Sequence, residues 1–131
     1  MKENRIKVVI KKPVKTVFDF TIDPKNTPRW IEVIQEEKTS DWPVQIGTVY
    51  KSYYKPKDKP GIWNEYLVTD FVTEKVFELA AKDGNYHVRY AYTPLSINET
   101  EVEYFEWVDT GELENPFSKE TLSNLQAVLE R

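Results

Sequence analysis

Apolar residues recur at two spacings along this chain, and the changes between them mark out its elements. Over residues 5–11 the chain alternates weakly around Ile6, Val8 and Ile10, which predicts a strand with one apolar face. Pro13 suits the first turn of a helix, and Val14, Val17, Phe18 and Thr21 then recur at helical spacing to about Ile22. Asp23-Pro24 pairs an N-cap with a first-turn proline, so a second short helix is expected from there to about Trp30, bent or broken at Pro28.

Period two then returns. Strands are predicted over residues 32–39, 44–55, 62–72, 75–82, 86–93 and 99–109. Turn chemistry separates them: Asp41-Trp42-Pro43, the polar loop KPKDKPG, and the tight-hairpin pair Asp83-Gly84. Strands in series with short connections imply an antiparallel meander, whose inner face needs an apolar cover. The last segment can supply part of it, because Ser118 can cap a helix in which Leu122, Leu125, Val128 and Leu129 form one stripe. The expected order is therefore a strand, two short helices, about six more strands and a terminal helix, in one α+β domain of residues 1–131.

Composition narrows the function without naming it. A chain of 131 residues can bury a real core. Eight Tyr, six Phe and four Trp bring the aromatic share to 14%, so many rings need a place to pack. The net charge of −4, from 18 basic and 22 acidic side chains, argues against a nucleic-acid partner. No apolar run is long enough to span a bilayer, and the first residues contain too short an apolar segment for a signal peptide, so a cytoplasmic protein without stable membrane insertion is expected. With no cysteine and one histidine, thiolate chemistry is excluded and a metal or other cofactor is not expected.

Several short motifs occur in a telling order. Residues 13–19, PVKTVFD, are followed by Asp23-Pro24, Pro28-Arg29-Trp30, Ile46-Gly47-Thr48, Val68-Thr69-Asp70-Phe71 and residues 98–102, NETEV. This series resembles the polyketide cyclase and dehydrase family of the START-related SRPBCC superfamily, whose members share the helix-grip fold with the birch pollen allergen family and lipid-transfer domains. The resemblance covers nearly the whole chain. It implies a seven-stranded antiparallel sheet wrapped around a long C-terminal helix, with a cavity between them for an apolar or amphipathic small molecule. It implies no universal catalytic residue: members bind lipids, sterols, hormones or polyketides, some cyclise or hydrolyse, and one branch contacts a chaperone. The terminal helix of this chain is short beside that pattern.

Strand parity selects candidate lining residues. Over residues 99–109, Val102, Tyr104 and Glu106 share one side, away from the solvated Glu101 and Glu103. On the preceding strand, Val88, Tyr90 and Tyr92 correspond, with His87 and Arg89 outward. With Tyr66 from the long strand, Phe18 and Trp30 from the short helices, and Leu122 and Leu125 from the terminal helix, these form the expected ligand-binding set. Tyrosines facing an apolar space need hydroxyl partners, which a ligand, a water or Glu106 can provide, and the same residues equally suit a filled aromatic core.

Glu106 is the candidate acid or base of an alternative, enzymatic reading of the cyclase, dehydratase or hydrolase type, with Tyr90 or Tyr104 as hydrogen-bond donor. It also suits a structural pairing with Arg89, Arg29 or a tyrosine, and Asp70 is a weaker case of the same kind. Trp30 either gates the mouth of the cavity or plugs the core. His87 and Lys51, Lys55, Lys57 and Lys59 read as solvated surface. A third reading makes Phe105, Trp107 and Trp63 an exposed aromatic patch for protein interaction, a homodimer included.

Overall fold

In the computed structural model, which describes residues 1–131, seven strands form one antiparallel sheet. They are β1 (Glu3–Ile10), β2 (Ile34–Thr39), β3 (Val49–Tyr54), β4 (Ile62–Val72), β5 (Val76–Ala81), β6 (Tyr86–Ser96) and β7 (Glu99–Val108). The order across the sheet is β1-β7-β6-β5-β4-β3-β2, so the six strands from β2 onward form a meander and β1 closes on the last of them. Helix α1 (Val14–Ile22) follows β1, and helix α2 (Lys119–Glu130) ends the chain. The expected α+β architecture, a curled seven-stranded sheet with a C-terminal helix, is what the chain adopts.

The second short helix is reduced to one 3-10 turn, Thr27–Arg29. An α-helix running on from Pro24 would need residue 28 to donate to the carbonyl of residue 24. Pro28 has no N–H, and its ring would collide with that carbonyl. The strands also shift at their ends: β2 starts at Ile34, β3 at Val49, and β6 runs past Thr93 to Ser96.

Three pairings slip by one residue, between Ile34 and Glu36, between Val68 and Asp70, and between Pro94 and Ser96. Each extra residue bends its strand and increases its twist, which curls the sheet. It also reverses side-chain parity. Beyond the bulge in β2, Glu37 pairs with the inward-facing Ser52, and beyond the bulge in β4, Phe71 rather than Asp70 packs on the core.

The concave face is filled at one end. Val17 and Phe18 of α1, Ile10 of β1, Tyr92 and Val102 of β6 and β7, and Leu122 and Leu125 of α2 belong to one buried cluster. Phe18 meets Tyr92 edge-on at 5.1 Å and Phe71 at 5.5 Å. Helix α2 begins at Ser118, whose hydroxyl accepts from the Thr121 N–H. It lies along β1, whose outer edge has no strand partner. Gln126 Nε2 donates to the Val9 carbonyl, and the Lys11 N–H donates to Glu130. Four helical residues rise about 6 Å and two strand residues about 6.7 Å. An i,i+4 pair therefore meets two successive outward backbone groups of an edge strand. Spent on that edge, a helix of 12 residues leaves the far half of the concave face uncovered.

Candidate functional site

That uncovered half holds an open cavity of about 870 Å3, lined by 29 residues of which 17 are hydrophobic. Its floor is the inner face of β3 to β7, contributing Tyr50, Tyr54, Tyr66, Phe77, Leu79, Val88, Tyr90 and Tyr104. The opposite wall is Thr27, Trp30, Ile31, Val33 and Ile34 on one side, and Asn115 with Phe117, from the segment before α2, on the other. The rim carries Trp63 and Glu65 of β4, Lys82 and Asp83 of the β5–β6 turn, and Glu112 and Glu114. No residue of α2 lines it, so the space lies beside the terminal helix rather than beneath it.

This divides the residues singled out in the sequence. Trp30, Tyr66, Val88, Tyr90 and Tyr104 come together around the cavity. Phe18, Tyr92, Val102, Leu122 and Leu125 sit in the filled end of the core. Trp30 is both lining and core: it is 2% exposed, packs edge-on to Tyr90 and Phe117, and its Nε1 is buried with no hydrogen-bond partner.

Glu106 faces inward as parity requires, yet it does not border the cavity. Its carboxylate accepts from Asn4 Nδ2 at 2.9 Å, the Tyr86 hydroxyl at 2.8 Å and the Phe117 N–H at 2.7 Å. Asn4 Nδ2 also donates to the Phe117 carbonyl at 2.9 Å. Glu106 therefore clasps β1, β6 and the segment entering α2, and none of the basic partners considered for it, Arg89 or Arg29, reaches it. Arg89 instead pairs on the outer face with Glu78 at 2.9 Å and with Asp70 at 3.5 Å, which accounts for Asp70.

The carboxylate in the cavity is Glu37. The Thr27 hydroxyl donates to one of its oxygens at 2.6 Å and the Ser52 hydroxyl to the other at 2.5 Å. Burial raises its pKa above the ordinary glutamate value, and the two hydroxyl donors pull the other way. Strict alternation from the buried Ile34 points Glu36 inward and Glu37 out, and the bulge reverses this. Bulge positions leave little trace in sequence; the retrievable signal was Thr27 and Ser52, two polar residues set on otherwise apolar faces.

The tyrosine hydroxyls remain neutral. Desolvation raises the pKa of Tyr50, Tyr66, Tyr86, Tyr90 and Tyr104, with added repulsion from Glu37 on Tyr50, Tyr66 and Tyr90, and from Glu106 on Tyr86 and Tyr104. Tyr50 spends its hydroxyl on the Ile22 carbonyl. Tyr90 lines the cavity without a side-chain partner for its hydroxyl, which leaves it free to bond a ligand.

The outer aromatic residues do not merge into one patch. Phe105 stacks on Trp107 and Trp107 on His87, with the Arg5 guanidinium over Phe105 and His87 Nε2 at 2.9 Å from Asp109. Trp63 packs on Tyr53, with Lys38 over its ring. The two groups are three strand positions apart, roughly 14 Å.

The chain matches no protein-family model, and no curated protein matches its sequence. Solved structures do share its fold. A protein from Chromobacterium violaceum superposes with a TM-score of 0.75 at 14% identity, over 100% of this chain and 99% of that one. XoxI from Bacillus cereus gives 0.75 at 14% identity, over 99% and 96%. The di-domain ARO/CYC StfQ from the steffimycin biosynthetic pathway gives 0.71 at 14% identity, over 96% of this chain and 43% of that one. At such identities the likeness is one of fold, and it agrees with a helix-grip architecture. No helix is long and apolar enough to cross a membrane.

Proposed function

We propose that this chain is a START-related domain that holds an apolar or amphipathic small molecule in the cavity between the sheet and the Thr27–Ile34 segment. The observation that carries this is the cavity itself: Leu122 and Leu125 of α2 are fully buried at one end of the concave face, while some 870 Å3 stay open at the other. Small-molecule sites typically enclose about 300–1,000 Å3, mostly apolar with a few polar handles. Here the handles are Glu37 and the Tyr90 hydroxyl. The fold shared with StfQ, an ARO/CYC of a biosynthetic pathway, supports a binding space of this kind. With its oxygens taken by three protein donors, Glu106 acts in this reading as part of the frame.

A fluorescence titration with N-phenyl-1-naphthylamine, an apolar dye that brightens on leaving water, tests the reading. We expect saturable 1:1 binding, and at least tenfold weaker binding in Leu79→Trp, where an indole is built into the floor. Circular dichroism checks that the variant is folded. No saturable binding by the wild type, or equal binding by a folded Leu79→Trp, would refute it.

A further inference from the structure

Glu37 is held inside the cavity with no counter-cation. Thr27 from the 3-10 turn and Ser52 from β3 hydrogen-bond it, and the titratable side chains that share the cavity lining and feel its charge are Tyr50 from β3, Tyr66 from β4 and Tyr90 from β6. No Lys, Arg or His pairs with it. A desolvated carboxylate without a counter-cation is costly to keep ionised. Its two hydroxyl donors fix its orientation and leave each oxygen with further acceptor capacity.

The surroundings have the same bias. Five acidic residues border the cavity, Glu37, Glu65, Asp83, Glu112 and Glu114; Lys82 and Lys51 pair with Glu65 and the N-terminal ammonium with Glu112, which leaves Glu37, Asp83 and Glu114 without a cation. A negative mouth concentrates cations and repels anions. Tyr, Trp and Phe rings line the floor and walls, and an aromatic ring that turns its face to a cation in a dry site attracts it through its quadrupole. An apolar space that meets its ligand with aromatic rings and one unpaired carboxylate is complementary to a positive head on an apolar body.

We infer that the cavity takes an apolar amine, with its ammonium group paired to Glu37 between the tyrosines of β3, β4 and β6 and its body along the apolar floor. This rests on the ligand-binding reading above and narrows it: fatty acids and other anionic amphiphiles are excluded as preferred ligands.

Three probes of nearly equal size separate the possibilities: 2-(1-naphthyl)ethylamine, 2-(1-naphthyl)ethanol and 1-naphthaleneacetate, titrated calorimetrically at pH 7.5. The amine is expected to bind at least tenfold tighter than the alcohol, with the acetate weakest. Glu37→Gln brings the amine to the level of the alcohol and leaves the alcohol unchanged. In the wild type the advantage of the amine shrinks as pH falls and Glu37 takes up a proton, a readout that holds even if the variant folds poorly. Equal binding of amine and alcohol, or a preference for the acetate, overturns the inference and leaves the cavity reading standing. Failure of all three probes and of N-phenyl-1-naphthylamine overturns both.

Discussion

Replacing Glu106 by leucine tests whether this carboxylate is structural, because the volume is nearly kept while the acceptors vanish. The side chain is 1% exposed and receives three donors, so the change leaves three polar groups to find other partners inside the protein. They are not equally placed. Asn4 Nδ2 keeps the Phe117 carbonyl at 2.9 Å, and Tyr86 has only the Tyr104 hydroxyl at 3.4 Å, a long contact. The Phe117 N–H has nothing else. An orphaned buried group costs about 1–3 kcal/mol. One full loss and one near-full loss thus total about 2–5 kcal/mol, reduced somewhat because the desolvation cost of the carboxylate also disappears. We expect a net loss of about 2–4 kcal/mol. In urea, with a slope of about 2 kcal/mol/M, the middle of the range for small proteins, that lowers the unfolding midpoint by about 1–2 M. Tryptophan fluorescence follows the transition. A double-mutant cycle with Tyr86→Phe should show coupling, since the two changes remove the same bond. A loss below about 1 kcal/mol in Glu106→Leu, or additivity with Tyr86→Phe, would refute the clasp.

Two further outcomes follow from the same contacts. Glu37 has a raised pKa in the folded protein, so its contribution to stability is present below the ordinary glutamate value and is lost as pH rises through the raised value. The urea midpoint of the wild type should therefore fall relative to Glu37→Gln as pH rises through that window, and a pH-independent difference would contradict the shift. Leu125→Ala removes a side chain that is 0% exposed where α2 meets the core, and should cost about 2–5 kcal/mol by urea unfolding; a loss under 1 kcal/mol would mean that α2 is not anchored there.

The sheet and its order were legible because period-two alternation in the central strands is strict. On β6 and β7, Val88, Tyr90 and Tyr92 face Val102, Tyr104 and Glu106 in regular register, and all six lie on the inner side as alternation requires. The cap at Ser118 and the stripe of Leu122 and Leu125 were equally plain, since helix capping and helical spacing are local rules. What failed was each inference that carried parity across a bulge or presumed where a helix would lie. Asp70 was singled out and Glu37 passed over on that account: parity counted from Val68 turns Asp70 inward, parity counted from Ile34 turns Glu37 outward, and in both strands one extra residue reverses the outcome.

The position of α2 could not be read from its own residues for a related reason. Its apolar stripe says only that one face is buried, and either the sheet centre or the β1 side would satisfy it. Gln126 and Glu130 decide between them, because their side chains meet the unpaired Val9 carbonyl and Lys11 N–H of an edge strand. An open edge is a liability for any sheet, since its free backbone groups can pair with another chain. Using the terminal helix to close that edge draws it away from the far half of the concave face. The cavity and its unpaired carboxylate both lie in that half.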